Sequence, residues 1–362
     1  MASKRVKDTI SKFRTDILSG AIASGSVLPA EMQLSAEMKL SRPTVAKIYN
    51  TLQQEGLVKK TPGRGTVVVY NENVKKNTFG LLLPGAGESE IFGQIHDHFL
   101  SLEKQKDVKF LWEGSIANNA QMRQNTILQI CEAYRQEGIK GVFFAPLERT
   151  DHAGVINTRV CELFDRAKIP VILIDRDIVL FPERSRYHVV GLDNFNAGYV
   201  MARHFIEAGC EKIYFFQRPD SATSIHKRVA GCHSACFDAG IAFRKENIIV
   251  GEPSDLATVK KIRITSGKTG IICANDSTAA VMMGTLNQLG IRVAKDVLVS
   301  GYDDMKYAKV LHLSLTTFRQ PLFDIVTNSY DLMLNRIESP ASIGADLTLL
   351  GELVPRESTR FA

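Results

Sequence analysis

The stretch Ser41-Arg42-Pro43-Thr44-Val45-Ala46-Lys47-Ile48-Tyr49, running on to Gly56-Leu57-Val58, decides how the chain is read. Val45, Ile48, Tyr49 and Leu52 recur at helical spacing, which defines the side a helix buries. The opposite side carries Arg42, Thr44, Ala46, Lys47 and Asn50, with no Asp or Glu among them. Ser41 stands where an N-cap belongs, its side-chain oxygen able to accept from a first-turn backbone N–H. Pro43 is tolerated just inside, because first-turn N–H groups lack helical partners. A short helix with an acid-free outer face is a candidate reader of a polyanion.

The neighbouring residues extend that reading. Val6, Ile10, Phe13 and Ile17 form the apolar stripe of a first helix, broken by Ser19-Gly20 and Gly25-Ser26. A second helix is expected over Glu31–Lys39 with Leu34 and Met38 inward, and Leu40-Ser41 makes a tight turn into the next helix. Two helices joined this closely form a helix-turn-helix pattern. Beyond Val58, the basic Gly-rich tip Lys59-Lys60-Thr61-Pro62-Gly63-Arg64-Gly65 leads into Thr66-Val67-Val68-Val69, which describes a hairpin. The whole reads as a winged helix-turn-helix with Arg64 at the wing tip.

Charge divides the chain at the same place. Residues 1–76 carry 13 Lys+Arg against 6 Asp+Glu, whereas the other 286 residues carry 32 against 33. The net charge of +6 therefore resides in the first fifth of the 362 residues, as a polyanion-binding module on a near-neutral body would have it. The opening MASKRVKD lacks the apolar core of a signal peptide, and no run reaches the ~20 apolar residues of a membrane span. A cytoplasmic location is expected. The six cysteines form no CxxC pair and lack zinc-finger histidines, so reduced buried thiols are expected and no metal.

The first segment resembles the DNA-binding domain of the GntR family. The resemblance rests on Gly25, Leu28-Pro29-Ala30-Glu31, Leu40-Ser41-Arg42-Pro43-Thr44-Val45, Leu52, Glu55-Gly56-Leu57-Val58 and Gly63-Arg64-Gly65-Thr66-Val67. It implies that Arg42, Thr44 and Lys47 lie at the major groove. Glu31 and Gln33 would stand near the backbone, and Arg64 and Gly65 at the minor groove. Two positions depart from the family. Ala30 replaces the usual Ser, which weakens the cap of the second helix. Ala46 replaces the usual Arg on the reading face, where a bidentate guanine contact would supply about 1–3 kcal/mol of discrimination.

Residues 71–77 read as a linker, and residues 1–70 and 78–362 as the two domains it joins. From Thr78 short apolar runs alternate with amphipathic ones. Expected strands include Thr78–Pro84, Gly141–Ala145, Val171–Asp175, Lys212–Phe216, Gly270–Ala274 and Val297–Gly301. Expected helices include Phe92–Lys104, Ala120–Glu137, Val229–Ala239 and Leu322–Arg336. This alternation implies an α/β body of doubly wound parallel sheets, and about ten strands suit two lobes better than one. Ligands in such folds bind beyond the strands' C-terminal ends, where this chain places Asp175-Arg176, Asn275-Asp276 and Asp303-Asp304. Carboxylates, an amide and a guanidinium with no nucleophile–base pair suit a polyhydroxy ligand, and no enzyme activity is expected.

The body in turn resembles the effector domain of the LacI/GalR repressors and the related periplasmic sugar-binding proteins. The matching stretches are Ile169–Arg176, Val190-Gly191-Leu192-Asp193-Asn194 with Gly198, Arg228-Val229-Ala230-Gly231, Ala274-Asn275-Asp276-Ser277, Gly301-Tyr302-Asp303-Asp304 and Leu315–Pro321. By that resemblance Asp175, Arg228, Asn275 and Asp303 bind sugar hydroxyls, and Phe92 faces the sugar ring. Glu90 and Arg123 are further candidates, as is His226 beside Arg228. Plainer readings compete elsewhere. Asn194 and Asp276 are read as helix caps, and Arg176 and Asp304 as structural partners. Pro84–Ser89 lacks the third glycine of a dinucleotide loop, and Ser266-Gly267-Lys268-Thr269 has Ile262 where a phosphate loop needs its first glycine.

The combined expectation is a cofactor-free homodimeric transcription regulator, most simply a repressor of carbohydrate utilisation genes. It reads a palindromic operator under control of a small sugar, a pentose, deoxyhexose or close derivative. The rivals are a sugar receptor without a DNA role, a ligand-dependent activator and an α/β sugar enzyme.

Overall fold

The computed structural model describes residues 2–70, 77–84, 90–112, 120–265 and 268–360, leaving out the side chains of 2–5, 54, 90 and 120–124. The chain divides into two compact units, residues 1–78 with 107–109, and residues 79–106 with 110–362.

In the first unit α1 (Ala2–Leu18), α2 (Glu31–Met38) and α3 (Arg42–Gln54) pack beside the hairpin of β1 (Val58–Thr61) and β2 (Gly65–Val68). The apolar stripe expected of α3 is its core: Val45, Ile48, Tyr49 and Leu52 are all buried. Leu28, Leu34, Leu57, Val58 and Val68 close around them. The Tyr49 ring meets Phe13 edge-on, and its hydroxyl donates to the Pro29 carbonyl oxygen at 2.6 Å. Lys39, in left-handed conformation, ends α2 and makes the sharp turn into α3. Ala30 at the head of α2 provides no side-chain cap. Ser41 stands at the N-cap of α3 as expected, but its hydroxyl bonds the Thr44 hydroxyl at 2.7 Å instead of a backbone N–H.

The second unit contains two parallel sheets. Six strands are ordered β13-β7-β6-β5-β3-β4, with β3 Thr78–Leu82, β4 Lys109–Leu111, β5 Gly141–Phe144, β6 Val171–Ile174, β7 His188–Leu192 and β13 Asp346–Leu349. Four are ordered β11-β10-β8-β9, with β8 Lys212–Gln217, β9 Ile248–Val250, β10 Thr269–Cys273 and β11 Leu298–Ser300. A small antiparallel pair joins β12 (Thr317–Arg319) to β14 (Glu352–Val354). The central strands β5, β6, β8 and β10 are buried along nearly their whole length, as strands covered by helices on both faces must be. The helices are α4 (Glu90–Gln105), α5 (Ala120–Glu137), α6 (Ala153–Arg166), α7 (Asn194–Glu207), α8 (Ser224–Asp238), α9 (Leu256–Val259), α10 (Asp276–Gln288) and α11 (Leu322–Glu338).

Two glycines set the approach of α7 and α8. A Cβ on Gly198 would lie 2.0 Å from the Arg228 carbonyl oxygen, and one on Gly231 would lie 2.0 Å from that of Phe195. Their absence of a side chain lets the two backbones touch, and this contact fixes the height of Arg228 on α8. All six cysteines are free and buried. Among the described residues, no helix is long and apolar enough to cross a membrane.

Candidate functional site

In the first unit Arg42 and Lys47 are exposed on α3, and neither forms an ion pair among the described residues. Thr44 is half-buried and holds the Ser41 hydroxyl. Arg64 and Gly65 lie exposed at the tip of the β1–β2 hairpin, which Gly63 and Gly65 turn with φ of 74° and 90°. Glu31 pairs with Lys60 of the hairpin at 3.0 Å, and Gln33 donates to Glu37 at 3.1 Å. The acid at the head of α2 is thus neutralised by the wing, which leaves the reading face its positive balance.

In the second unit the strand ends converge on one cleft of about 360 Å³, counting its open mouth. Asp175 follows β6, Asn275 follows β10, Asp303 follows β11 and Arg228 stands one turn into α8 after β8. All four line the cleft together with Phe92 of α4. The ends also bring Arg176 and Ser224, and with them Glu148 and Gln320, which the sequence reading did not place there.

Arg228 is the fixed point of this wall. It is 5% exposed, donates from Nε to Asn194 Oδ1 at 2.6 Å and from NH1 to the Ala274 carbonyl oxygen at 2.7 Å, and stacks over the Tyr302 ring at 4.4 Å. Asp303 accepts from Gln320 Nε2 at 2.7 Å. Burial pushes Asp303 up to about 6, against the opposing pull of Arg228. Burial likewise raises Asp175. Arg176 is 3% exposed, lies over the Phe92 ring at 5.2 Å and pairs with Glu148 at 2.9 Å. Burial alone would raise Glu148, but the charge and hydrogen bond of Arg176 hold it below the usual carboxylate range.

Three buried polar atoms on this wall have no hydrogen-bond partner among the described residues: Arg176 Nε, Arg176 NH2 and Gln320 Oε1. Buried polar groups are nearly always paired, because desolvating one without a partner costs about 1–3 kcal/mol. Arg176 Nε has the Asp175 carboxylate at 3.5 Å, which leaves Arg176 NH2 and Gln320 Oε1 as the wall's groups for a polar ligand to pair.

Several sequence readings change. His226 is exposed and does not line the cleft: two residues before the inward Arg228, it is turned about 200° around the helix. The caps of α7 and α10 are Asp193 and Asn275, not Asn194 and Asp276. Asn194 and Asp276 lie one position further in and are buried. Asn194 brackets Arg228, while Asp276 accepts from Met305 N at 2.8 Å and Thr317 Oγ1 at 2.6 Å. The Thr278 N–H donates to Asn275 Oδ1 at 2.9 Å, which leaves its Nδ2 donors for a ligand. Asp304 is held by Arg319 and Arg356, the structural role expected of it. Arg176, placed at a strand end but read as a structural partner, does both: it pairs with Glu148 and walls the cleft. The side chains of Glu90 and Arg123 and the loop 85–89 lie outside the described residues. Among the described residues no group of three or more His, Cys, Asp or Glu could hold a metal ion.

Comparison with known proteins agrees with this division. Residues 4–68 match the gntR family of bacterial regulatory proteins, and residues 202–359 match the periplasmic binding protein-like domain. The arabinose metabolism transcriptional repressor of Geobacillus stearothermophilus is 24% identical, over 95% of this chain and 94% of that protein. The regulator GalR of Escherichia coli is 29% identical over 45% of this chain and 48% of its own length. Among solved structures, a complex of the transcriptional regulator CelR with cellobiose superposes with a TM-score of 0.64 at 18% identity, covering 91% of this chain and all of that one. A LacI family regulator from Enterococcus faecium with bound ribose gives 0.61 at 20% identity, covering 79% and 100%. The fold is shared with these regulators. The chain joins a winged helix-turn-helix that matches the gntR family of bacterial regulatory proteins to a periplasmic-binding-protein-like body.

Proposed function

We propose that the chain is a repressor of carbohydrate utilisation genes whose operator affinity is set by a small sugar held in the cleft of its second unit. One observation carries the reading. Asp175, Arg228, Asn275 and Asp303 come from four separate strand ends and meet on one wall with a buried donor and an acceptor left open. That inventory suits adjacent hydroxyls, each of which donates once and accepts twice. It offers Arg176 and Gln320 as further contacts beside the residues foreseen. A pentose, a deoxyhexose or a close derivative fits the crowding of Phe92 and Ile225 around these groups. Proteins of the same fold with bound cellobiose and bound ribose support a sugar as the ligand.

Residues 1–70 then bind DNA, through Arg42, Thr44 and Lys47 in the major groove and the Arg64-Gly65 tip in the minor groove. Residues 71–77 link them to the body at 78–362. A palindromic operator calls for a two-fold dimer. The face we assign to the second copy is the groove lined by Ala280, Met283, Gly284 and Leu311 together with Asn287, Arg292 and His312.

The test is a titration of operator DNA with and without monosaccharides, on protein whose sugar binding is followed by thermal shift. Ligand at 100 times its Kd adds about 2.7 kcal/mol to the stability of the folded state. Sugar and operator should weaken each other through a coupling of about 1–3 kcal/mol. Operator affinity that stays the same at saturating sugar sinks the proposal.

A further inference from the structure

Residues 220–228, which run from the loop after β8 into α8, have two sets of neighbours. Ala222, Ser224, Ile225 and Arg228 line the cleft. The residues beside them reach across to the lobe of the six-stranded sheet. The Asp220 carbonyl oxygen accepts from the Arg149 N–H at 2.6 Å. The Thr223 hydroxyl donates to the Asp177 carbonyl oxygen at 2.6 Å, and Lys227 Nζ donates to Asp346 Oδ2 at 2.7 Å. Residues 223 and 227 are one helical turn apart, as are 224 and 228. The start of α8 therefore holds the opposite lobe with one stripe and the cleft with the next.

The far side of each tie is itself held. The Asp177 carboxylate accepts from the Ile178 N–H at 2.6 Å and the Ser185 N–H at 3.0 Å, which folds the loop between β6 and β7 around it. Asp346 is also paired with Arg184 of that loop. The Lys227 and Asp346 side chains are only 16% and 18% exposed, so their ion pair is screened less than a surface pair. Arg149 and Asp220 both have left-handed backbone, with φ of 50° and 51°. Such backbone persists in residues other than glycine only where surrounding contacts impose it. Hydrogen bonds of this length are lost once their partners separate by about 1 Å. All three ties exist only while the lobes are together.

We propose that residues 220–228 are a clasp that holds the lobes closed, with Thr223 and Lys227 as positioning residues that set Ser224 and Arg228 against the effector. The inference rests on reading the cleft as the effector site. Because α8 moves as one body, closing the lobes and presenting Arg228 are a single event. The clasp raises the share of molecules ready to bind, and a ligand's apparent affinity falls in proportion as that share falls.

The test uses the full chain. Thr223→Val removes the hydroxyl at nearly equal size, and Lys227→Met removes the charge but keeps the stem. Thr223→Ser and Lys227→Arg restore the lost donor. Hydrogen–deuterium exchange of the ligand-free protein is read at residues 145–151, 177–187 and 220–228. Calorimetry then titrates ribose, arabinose, xylose and fucose. Each loss variant should speed exchange in all three segments and weaken sugar binding, both by about tenfold. Both effects should return to wild type in the restoring variants. A purely structural part would lower the melting temperature and leave sugar affinity alone. Thr223 is only half-buried, so its variants decide the matter even if Lys227→Met does not fold. Exchange that stays at the wild-type rate overturns the proposal, and so does faster exchange with unchanged sugar affinity. Faster exchange in all three segments, in a chain that binds none of the sugars, counts against the effector reading and leaves the clasp standing.

Discussion

The two units solve opposite problems with the same kinds of residue. In the winged helix-turn-helix the candidate contacts Arg42, Lys47 and Arg64 stand in solvent on a core that does not need them. In the body the candidate contacts Arg228 and Arg176 are 5% and 3% exposed and are bonded into the framework. A surface reader is separable from its scaffold, whereas a buried effector site is part of it. Changes in the first unit should therefore alter specificity at little cost in stability, and changes in the second should move both together.

The largest effect is expected at Gly198. A side chain there collides with the Arg228 backbone, so Gly198→Val should separate α7 from α8, cost the body about 3 kcal/mol and abolish sugar binding. A calorimetric melt of the variant checks it. An unchanged melting temperature would mean that the helices have room to part, and would remove the glycine from the account of how Arg228 is placed.

Arg228→Ala is next. It leaves Asn194 Oδ1 and the Ala274 carbonyl oxygen without their donor inside the protein, a loss of about 2–3 kcal/mol. The sugar-induced thermal shift should vanish while operator binding stays intact. Arg42→Ala is its counterpart in the other unit, with operator binding lost and the melt unaltered. Comparable destabilisation in the two variants would erase the contrast between a buried and a surface site.

The third expectation concerns pH. The folded-state pKa of Asp303, about 6, lies above its ordinary value, so the folded protein holds this proton more tightly than the unfolded chain. The stability that Asp303 contributes is complete below pH 4 and is lost as pH rises to about 6. A sugar that donates to the ionised carboxylate should bind more weakly as pH falls through 6. Isothermal titration between pH 5 and 8 should show that slope, and Asp303→Asn should flatten it. A wild-type affinity independent of pH would take the Asp303 carboxylate out of the ligand's reach.

The smallest energetic effect should come with the sharpest change of specificity. Ala46→Arg restores the arginine of the GntR family on the reading face and should shift base preference at one position in each half-site. Stability should move by no more than about 0.5 kcal/mol. Selection from a randomised operator library measures the shift, and an unchanged preference would show that Ala46 does not face the bases.

Local pattern carried the first unit nearly whole. Helical spacing marked Val45, Ile48, Tyr49 and Leu52 as core, and two glycines around a basic tip marked the wing, because each signal lies within a few residues of what it shapes. Alternating apolar runs in the same way revealed the parallel sheets of the body. Strands β13 and β14 went unread, since Asp346-Leu347-Thr348-Leu349 and Glu352-Leu353-Val354 are short and only half-buried. Folding alone decided which strand ends share a cleft wall. Sequence order separates Glu148, Arg176 and Gln320 by up to 172 residues, and the ends of β5, β6 and β12 bring them together. It also decided roles one residue apart. Asp193 and Asn275 cap helices while Asn194 and Asp276 turn inward, and Arg228 lines the cleft while His226 faces water. The amino acids determined which chemistry each segment could offer; the rotation of a helix and the end of a strand determined where it was delivered.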